Sequence, residues 1–481
     1  MIPAGFPLRR AGPSPRLIYA VLSLSVVAYS LVQSMVFPIL PVIEAKLHTD
    51  AATGTWIMTT YFLSAAVATP IIGRLGDAYG KDRLLVFCLV ALVIGSVAGA
   101  IAWSLPVMLA ARAVQGVGAG VVPVAFGIAR DEFPPEQVPG AVGFMSSLLG
   151  VVSGLTLVVA GPITAAFGYS WLFWFSAGYV ASVLILAVRY IPASPVRRGG
   201  RVSWLGAVLL SAWLLAILVA ISEAPTWGWG SGSTIGLFAG GAVLMGLWLL
   251  AESRSPAPLI DLAMMRRPAV WSLNLVSLLY GGAFYTVPSL FPGLLQSPLS
   301  TGYGLGKSVT LSGVIVLPMS AAVFVAGFGV SRASRRAGSR ALLVVGTWIS
   351  VPAMVSLALW HADVLQIVLS EIVIGAGIGL CFSAMGALIV DAVPPDQTGV
   401  ASGMNANIRT LGGAFSLAIA ASILAAHTPH GAAYPTGSGY TLSFAAVAAT
   451  TGLAALATLL VPRLPRRRDE HSDQQRPRVL S

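Results

Sequence analysis

The chain has 481 residues, 56% of them hydrophobic and 9% charged, with a mean hydropathy of +0.85. Soluble domains carry about 25% charge, so a water-soluble enzyme or binding module is excluded. The net charge of +11 on its own would admit a nucleic-acid partner, but the placement of the cations along the chain argues against one.

A helix crosses the hydrocarbon core with about 20 apolar residues. Fourteen such runs follow in order, at 17–40, 55–73, 84–103, 105–128, 140–165, 170–190, 203–221, 233–251, 269–294, 308–328, 341–360, 364–390, 399–425 and 440–461; twelve is the competing count. Arg9, Arg10 and Arg16 precede the first run in the manner of a signal peptide. That run is long for a signal sequence and no A-x-A-like site follows it, so it reads as a retained first helix. Between the second and third runs lies Gly73-Arg74-Leu75-Gly76-Asp77-Ala78-Tyr79-Gly80-Lys81-Asp82-Arg83. It reads as a tight charged loop joining antiparallel helices, with Asp77 at a helix end among cations, placed to pair or cap. Cys88 and Cys381 both fall inside apolar runs, which argues against a disulfide or a metal site. The histidine spacing gives no metal site, and the absence of a Walker loop argues against ATP.

Lys and Arg alternate from side to side. They fill the N-terminus, residues 74–83, Arg130, Arg189 to Arg201, Arg254 to Arg267, Arg332 to Arg340 and Arg463 to Arg478, while only Lys46 and Lys307 fall in the opposite loops. This is the positive-inside pattern. It places both termini in the cytoplasm, requires an even helix count, and assigns the cations to a membrane rather than to nucleic acid. Residues 463–481 read as a disordered basic tail that touches lipid.

An internal repeat sets the architecture. Arg112-x-x-x-Gly116-x-Gly118-x-Gly120 recurs as Glu371-x-x-x-Gly375-x-Gly377-x-Gly379, and Asp131-Glu132-Phe133-Pro134-Pro135-Glu136-Gln137 recurs as Asp391-Ala392-Val393-Pro394-Pro395-Asp396-Gln397. Both copies face the same side, so the halves are parallel. Six helices need only about 200 residues at this spacing. The offset of roughly 260 therefore leaves room for two inserted helices, at 203–221 and 233–251. The expected fold is an all-α integral membrane protein with an N-terminal six-helix bundle at 1–192, a linker with two inserted helices at 193–268, a C-terminal six-helix bundle at 269–462 and a tail at 463–481.

These features together resemble the major facilitator superfamily. The stretch with Gly73, Asp77, Gly80, Lys81 and Arg83 is similar to its loop motif G-x-L-x-D-x-x-G-(R/K)-x-(R/K), although Ala78 and Asp82 replace usual cations. Arg112-x-x-Gln115-Gly116-x-Gly118 resembles its fourth-helix motif, and Gly161-Pro162 the core of the antiporter motif G-x-x-x-G-P-x-x-G-G, with Leu157, Ala165 and Ala166 in place of family glycines. Ser170-Trp171, Trp227-Gly228-Trp229, Pro258-Leu259-Ile260-Asp261-Leu262, Thr301-Gly302-Tyr303-Gly304 and Gly399-Val400-Ala401-Ser402-Gly403 resemble the fourteen-helix drug:proton antiporter branch. That branch usually reads L-D-x-T-x-x-N-x-A-L-P in helix 1. Here the aligned stretch is Leu31-Val32-Gln33-Ser34-Met35-Val36-Phe37-Pro38-Ile39-Leu40-Pro41, so Val32 replaces the acid and Phe37 the Asn.

The resemblance implies a proton-coupled exporter of small amphiphilic compounds such as drugs or antibiotics, without enzymatic activity, cofactor or metal. It would be a monomer in the bacterial cell membrane, in contact with lipid, protons and a small-molecule substrate. A dedicated exporter of one metabolite or lipid is the alternative, and a non-transporting sensor on the same fold is the alternative of another class. Charges inside the membrane are costly and usually functional. Glu371 is the expected proton carrier, Arg112 and Asp77 its coupling and gating partners, and Glu371 and Arg112 hold equivalent places in the two halves. Arg409 is expected to snorkel to the cytoplasmic end. Gln33, Ser34, Tyr61, Gln115, Asn274, Tyr280, Tyr285, Asn405 and Asn407 are candidates to line a cavity.

Overall fold

A computed structural model describes residues 14–463, apart from 50–53, 55, 135–136, 195–202, 257, 362, 395–396 and 430–433. The expected disordered tail and the basic stretch after Ser194 lie outside the described residues.

Hydrocarbon offers no water to backbone N–H and C=O groups, so a spanning segment must satisfy them internally. The apolar runs accordingly form helices. They are α1 (Pro15–Ser34, continued by a 3₁₀ turn Phe37–Ile39), α2 (Trp56–Tyr79), α3 (Lys81–Ala100), α4 (Leu105–Val117, carried through Gly118–Gly120 into Val121–Glu132), α5 (Val138–Phe167), α6 (Ser170–Tyr190), α7 (Trp204–Trp227), α8 (Gly232–Arg254), α9 (Pro268–Gln296), α10 (Val309–Ala337), α11 (Ser339–Leu359), α12 (Val364–Ala392), α13 (Thr398–Ala426) and α14 (Gly437–Ala457). Among the described residues, thirteen are long and apolar enough to span a membrane as single helices, and α5, a pair bent by 40° between Thr156 and Val158, makes a fourteenth when counted as one span. Pro162 lies four residues beyond Val158 in α5 and deprives that carbonyl of its helical donor, which accounts for the bend.

The stretch from Gly73 is not the loop its composition predicts. Helix α2 continues to Tyr79 and α3 begins at Lys81, leaving Gly80 as the whole connection. Gly80 has φ 113°, and Gly338 between α10 and α11 has φ 85°; both values disfavour any residue with a Cβ. The two glycines stand at the repeat offset, so the second half keeps the one-residue turn while losing most of the motif around it.

Helix packing follows the repeat. In the first half α1 packs on α5 and α6, α2 on α4, and α3 on α4 and α6. In the second half α9 packs on α13 and α14, α10 on α12, and α11 on α12 and α14. These are equivalent pairs, and they make two six-helix bundles. Between the bundles α2 packs on α13 and α5 on α10, again an equivalent pair. The inserted α7 lies along α2 and α13, and α8 packs on α7. Thr59 of α2 and Ser222 of α7 share a hydrogen bond of 3.0 Å, and Trp213 and Trp248 pack with ring centroids 6.0 Å apart between α7 and α8.

Close crossings inside the bundles depend on small residues. A side chain at Gly412 of α13 would collide with the Leu278 carbonyl of α9, whereas Gly452 of α14 has nothing within 4 Å. Gly412→Ala should destabilise the protein by about 1–3 kcal/mol, the usual cost of overpacking, and Gly452→Ala should not. Thermal unfolding of both variants in detergent checks this; equal melting curves would show that the α9–α13 crossing yields freely.

Candidate functional site

The two bundles meet around a cavity of about 30 Å³, lined by Tyr29 and Gln33 of α1, Phe62, Ala65 and Thr69 of α2, Ala119 and Val122 of α4, Leu149 of α5, Phe284 and Tyr285 of α9, Phe382 of α12, and Ala406, Asn407, Arg409 and Thr410 of α13. Pockets for drug-sized ligands run to roughly 300–1,000 Å³, so the cavity as it stands is too small for one. Its residues come from both halves, and most are aromatic or small. Of the polar candidates, Gln33, Tyr285 and Asn407 line it.

The other candidates serve packing within one bundle. Asn405 donates to Asn274 at 2.9 Å and to the Ser277 hydroxyl at 2.7 Å, which ties α13 to α9. The Tyr280 and Ser350 hydroxyls lie 2.6 Å apart between α9 and α11. Ser34 donates to the Ser30 carbonyl one turn back at 2.7 Å. Tyr61 and Gln115 surround Arg112 behind the cavity wall.

Arg112 is fully buried. Its guanidinium donates to the Gln115 side-chain oxygen at 2.7 Å and to the carbonyls of Val32 and Ile57, each at 3.3 Å, and lies 4.3 Å from the Tyr61 ring centre. Gln115 in turn donates to Ser96 at 3.0 Å. An acid was expected as the partner of Arg112. Its place is taken by neutral oxygens, one of them the main-chain carbonyl of Val32, the residue that replaces the acid of the family pattern. Glu371 is also fully buried, in α12, and neither of its oxygens has a hydrogen-bond partner among the described residues. No ion pair joins it to Arg112 among the described residues; Lys81 pairs instead with Asp77 and with Asp131 at the motif end.

The motif end of the bundles is held by charge. Asp77 and Lys81 are both buried, with Lys81 Nζ 3.7 Å from Asp77 Oδ1 and 2.7 Å from Asp131 Oδ2. A Cβ at Gly127 of α4 would lie 2.8 Å from the Lys81 stem, so that glycine makes the channel through which Lys81 reaches Asp131. Across the interface, a Cβ at Gly399 would lie 3.2 Å from either Asp77 oxygen, and one at Gly73 would lie 2.8 Å from the Gly399 carbonyl. Asp77 thus sits against the first turn of α13, where the helix dipole favours a negative charge. Arg130 at the end of α4 donates to the Val390 carbonyl at 2.7 Å, to the Val393 carbonyl at 3.0 Å and to the Thr398 hydroxyl. It therefore satisfies the end of α12 and the start of α13 together. Arg83 is exposed, and the Asp82 carboxylate accepts from the Ser194 backbone at 3.1 Å.

Two further bonds cross between the bundles: Ser383 of α12 donates to the Gly143 carbonyl of α5 at 2.9 Å, and the second involves a proline-freed carbonyl. Pro70 in α2 has no N–H to give the Ala66 carbonyl. That freed carbonyl accepts from Asn407 of α13 at 2.6 Å. Gly161 of the antiporter motif packs on α10, where a Cβ would lie 3.5 Å from the Thr310 hydroxyl.

Sequence reasoning missed Arg130 and misplaced Arg409. Arg130 directly precedes the repeated acid Asp131, and its repeat equivalent is Val390, the residue whose carbonyl it binds. That asymmetry was the available signal. Arg409 does not reach the end of its helix. It lines the central cavity, 4.7 Å from the Phe382 ring centre, with its Nε buried and without a hydrogen-bond partner among the described residues.

Known proteins resemble this chain in sequence and in fold. An uncharacterized MFS-type transporter of Mycobacterium tuberculosis is 28% identical over 422 residues, which cover 85% of this chain and 60% of that protein. The chain thus spans about three fifths of that relative's length. The tetracenomycin C resistance and export protein of Streptomyces glaucescens is 27% identical over 424 residues, 86% of this chain and 77% of its own. The structure of the proton:xylose symporter XylE superposes with a TM-score of 0.67 over 93% of this chain and 96% of that one, at 13% identity, a likeness of fold. The family model described as Major Facilitator Superfamily matches residues 22–417, and the chain belongs to that superfamily.

Proposed function

We propose that the protein is a proton-coupled exporter of small amphiphilic compounds, working by alternating access. The observation that carries this reading is the cavity between two repeat-related bundles, joined at the motif end by a small set of polar contacts. Contacts of that kind can be remade, whereas the tightly packed interiors of the bundles move as units. Breaking the Arg130 contacts and withdrawing Asp77 from α13 would open the cavity toward the motif end. Closing them would leave the opposite end free to part. The relative named for tetracenomycin C resistance and export supports the direction of transport. The cation distribution supports the orientation: both termini and the motif end face the cytoplasm of a bacterial cell membrane. The working unit is a monomer in contact with lipid.

Proton coupling rests on Glu371 in this reading. An ionised carboxylate without a partner is very costly in the membrane interior. Glu371 has no partner among the described residues, so each change of its surroundings during the cycle changes what its charge costs. That is what loading and releasing a proton requires. Asp77 serves as the gate and Arg112 as the fixed cation of the N-terminal bundle.

Glu371→Gln keeps the shape and removes the ionisable group. Substrate binding should survive while proton-driven efflux is lost. Proton release on adding substrate to purified protein in weak buffer reads this directly; release equal to that of the parent protein would exclude Glu371 as the carrier.

Asp77→Asn should slow efflux from reconstituted vesicles about tenfold, the effect of 1.4 kcal/mol on a barrier, with substrate affinity unchanged. The charge is needed for switching between states and not for binding. Unchanged efflux would reduce Asp77 to a packing residue.

A further inference from the structure

The cavity between the bundles carries a charge of one sign. Arg409 lies in its wall, and no acidic side chain is among the described residues that line it. The guanidinium stacks over Phe382 at 4.7 Å, which occupies one face and leaves its N–H edge for other partners. Its Nε is buried and unpartnered among the described residues. A second cation, Arg112, stands one layer behind, over the Tyr61 ring and solvated by neutral oxygens of Val32, Ile57 and Gln115. Val32, where the resembling branch has an acid, leaves α1 without a counter-charge. The two acids nearest to function are elsewhere: Asp77 with Lys81 at the motif end, and Glu371 in α12, outside the lining.

The remaining wall is aromatic. Phe62 and Tyr285 stand edge to face with centroids 5.9 Å apart, and Phe284 meets both Tyr285 and Phe382 at 4.8 Å. Asn407 and Thr410 add polar groups beside Arg409, and Gln33 and Tyr29 add others from α1. Such a wall receives an aromatic body by offset and edge contacts. In a site shielded from water, a guanidinium fork is matched by a carboxylate or similar anion and strongly disfavours an ammonium group.

We propose that the cavity selects aromatic compounds that carry a negative charge, with Arg409 as the residue that sets the sign. This rests on the export reading of the same site. The anion's carboxylate, sulfonate or phenolate oxygen takes the free N–H edge of Arg409, and its ring lies among Phe62, Phe284, Tyr285 and Phe382. The sign also suits the membrane. A negative charge carried outward across an inside-negative potential moves downhill, whereas a cation moves uphill. An exporter of anions therefore has less need of an acid in α1, and this chain lacks one.

The test uses the full-length protein in nanodiscs without any gradient, and a matched set of probes: a naphthalene ring bearing a carboxylate, a hydroxymethyl or an aminomethyl group. Binding is measured by calorimetry. The carboxylate should bind at least about tenfold more tightly than the ammonium form. Arg409→Gln should remove that preference and leave the neutral probe within about twofold of the parent value, while Arg409→Lys should retain the preference. Equal binding of the carboxylate and ammonium probes by the parent protein, or tighter binding of the ammonium, would overturn the proposal. So would an Arg409→Gln protein that weakens all three probes alike, since that marks a packing residue. The export reading fails separately. If the charge preference holds but a proton gradient drives no transport in vesicles, selection stands and export falls. If a gradient drives the ammonium probe as well as the carboxylate, export stands and selection falls.

Discussion

Inside a membrane every polar group must be answered by protein, because no water is there to answer it. The polar groups this chain keeps within its helices therefore decide how the helices meet. Pro70 frees the carbonyl of Ala66, and Asn407 from the other bundle takes it. Arg112 gathers main-chain carbonyls from α1 and α2, so a charge that would be intolerable alone becomes the tie between three helices of one bundle. Lys81 reaches Asp131, and Arg130 reaches the adjoining ends of α12 and α13. The Arg112 and Lys81 bonds hold the N-terminal bundle together, and those of Asn407 and Arg130 cross from one bundle to the other.

The repeat gives the two halves one architecture, and the departures from it give them different work. The positions held by Arg112 and Glu371 are equivalent, yet Arg112 is hydrogen-bonded through its Nε and Nη1 and Glu371 has no partner among the described residues. The one-residue turn at Gly80 is matched at Gly338, but only the first carries an acid and a lysine drawn into the bundle interface. The inserted α7 lies along both α2 and α13. It borders the same seam that Asn407 and Asp77 hold, and neither inserted helix contributes a lining residue to the cavity.

Much of this was legible in the sequence. Hydropathy alone located the spanning segments, since a run of apolar residues in lipid has no alternative to a helix. The repeat located the equivalent pairs, and Gly80, Asp77 and Lys81 were recognisable from their spacing. Composition failed where polar residues continue a helix past the hydrocarbon: Arg74 to Tyr79 look like a loop but complete α2. It failed again at the cavity, because the direction a residue faces depends on helix rotation that a uniformly apolar helix does not encode. Asn274, Asn405 and Tyr280 face their own bundle, whereas Asn407, two residues from Asn405, faces the other. Arg409 was assigned to the membrane surface by the general habit of arginine, and only the packing of α13 shows that it lies three turns in, against Phe382.

The central claim is that the bundles part at the motif end when its polar contacts are released. Both native cysteines are buried, so spin labels on Tyr79→Cys and Arg266→Cys, two exposed positions near that end of α2 and α9, report on the gap alone. Pulsed distance measurements in nanodiscs should give one short distance for this background. Adding Arg130→Ala should bring in a second, longer distance whose population responds to pH. A single unchanged distance in both proteins at every pH would contradict the account.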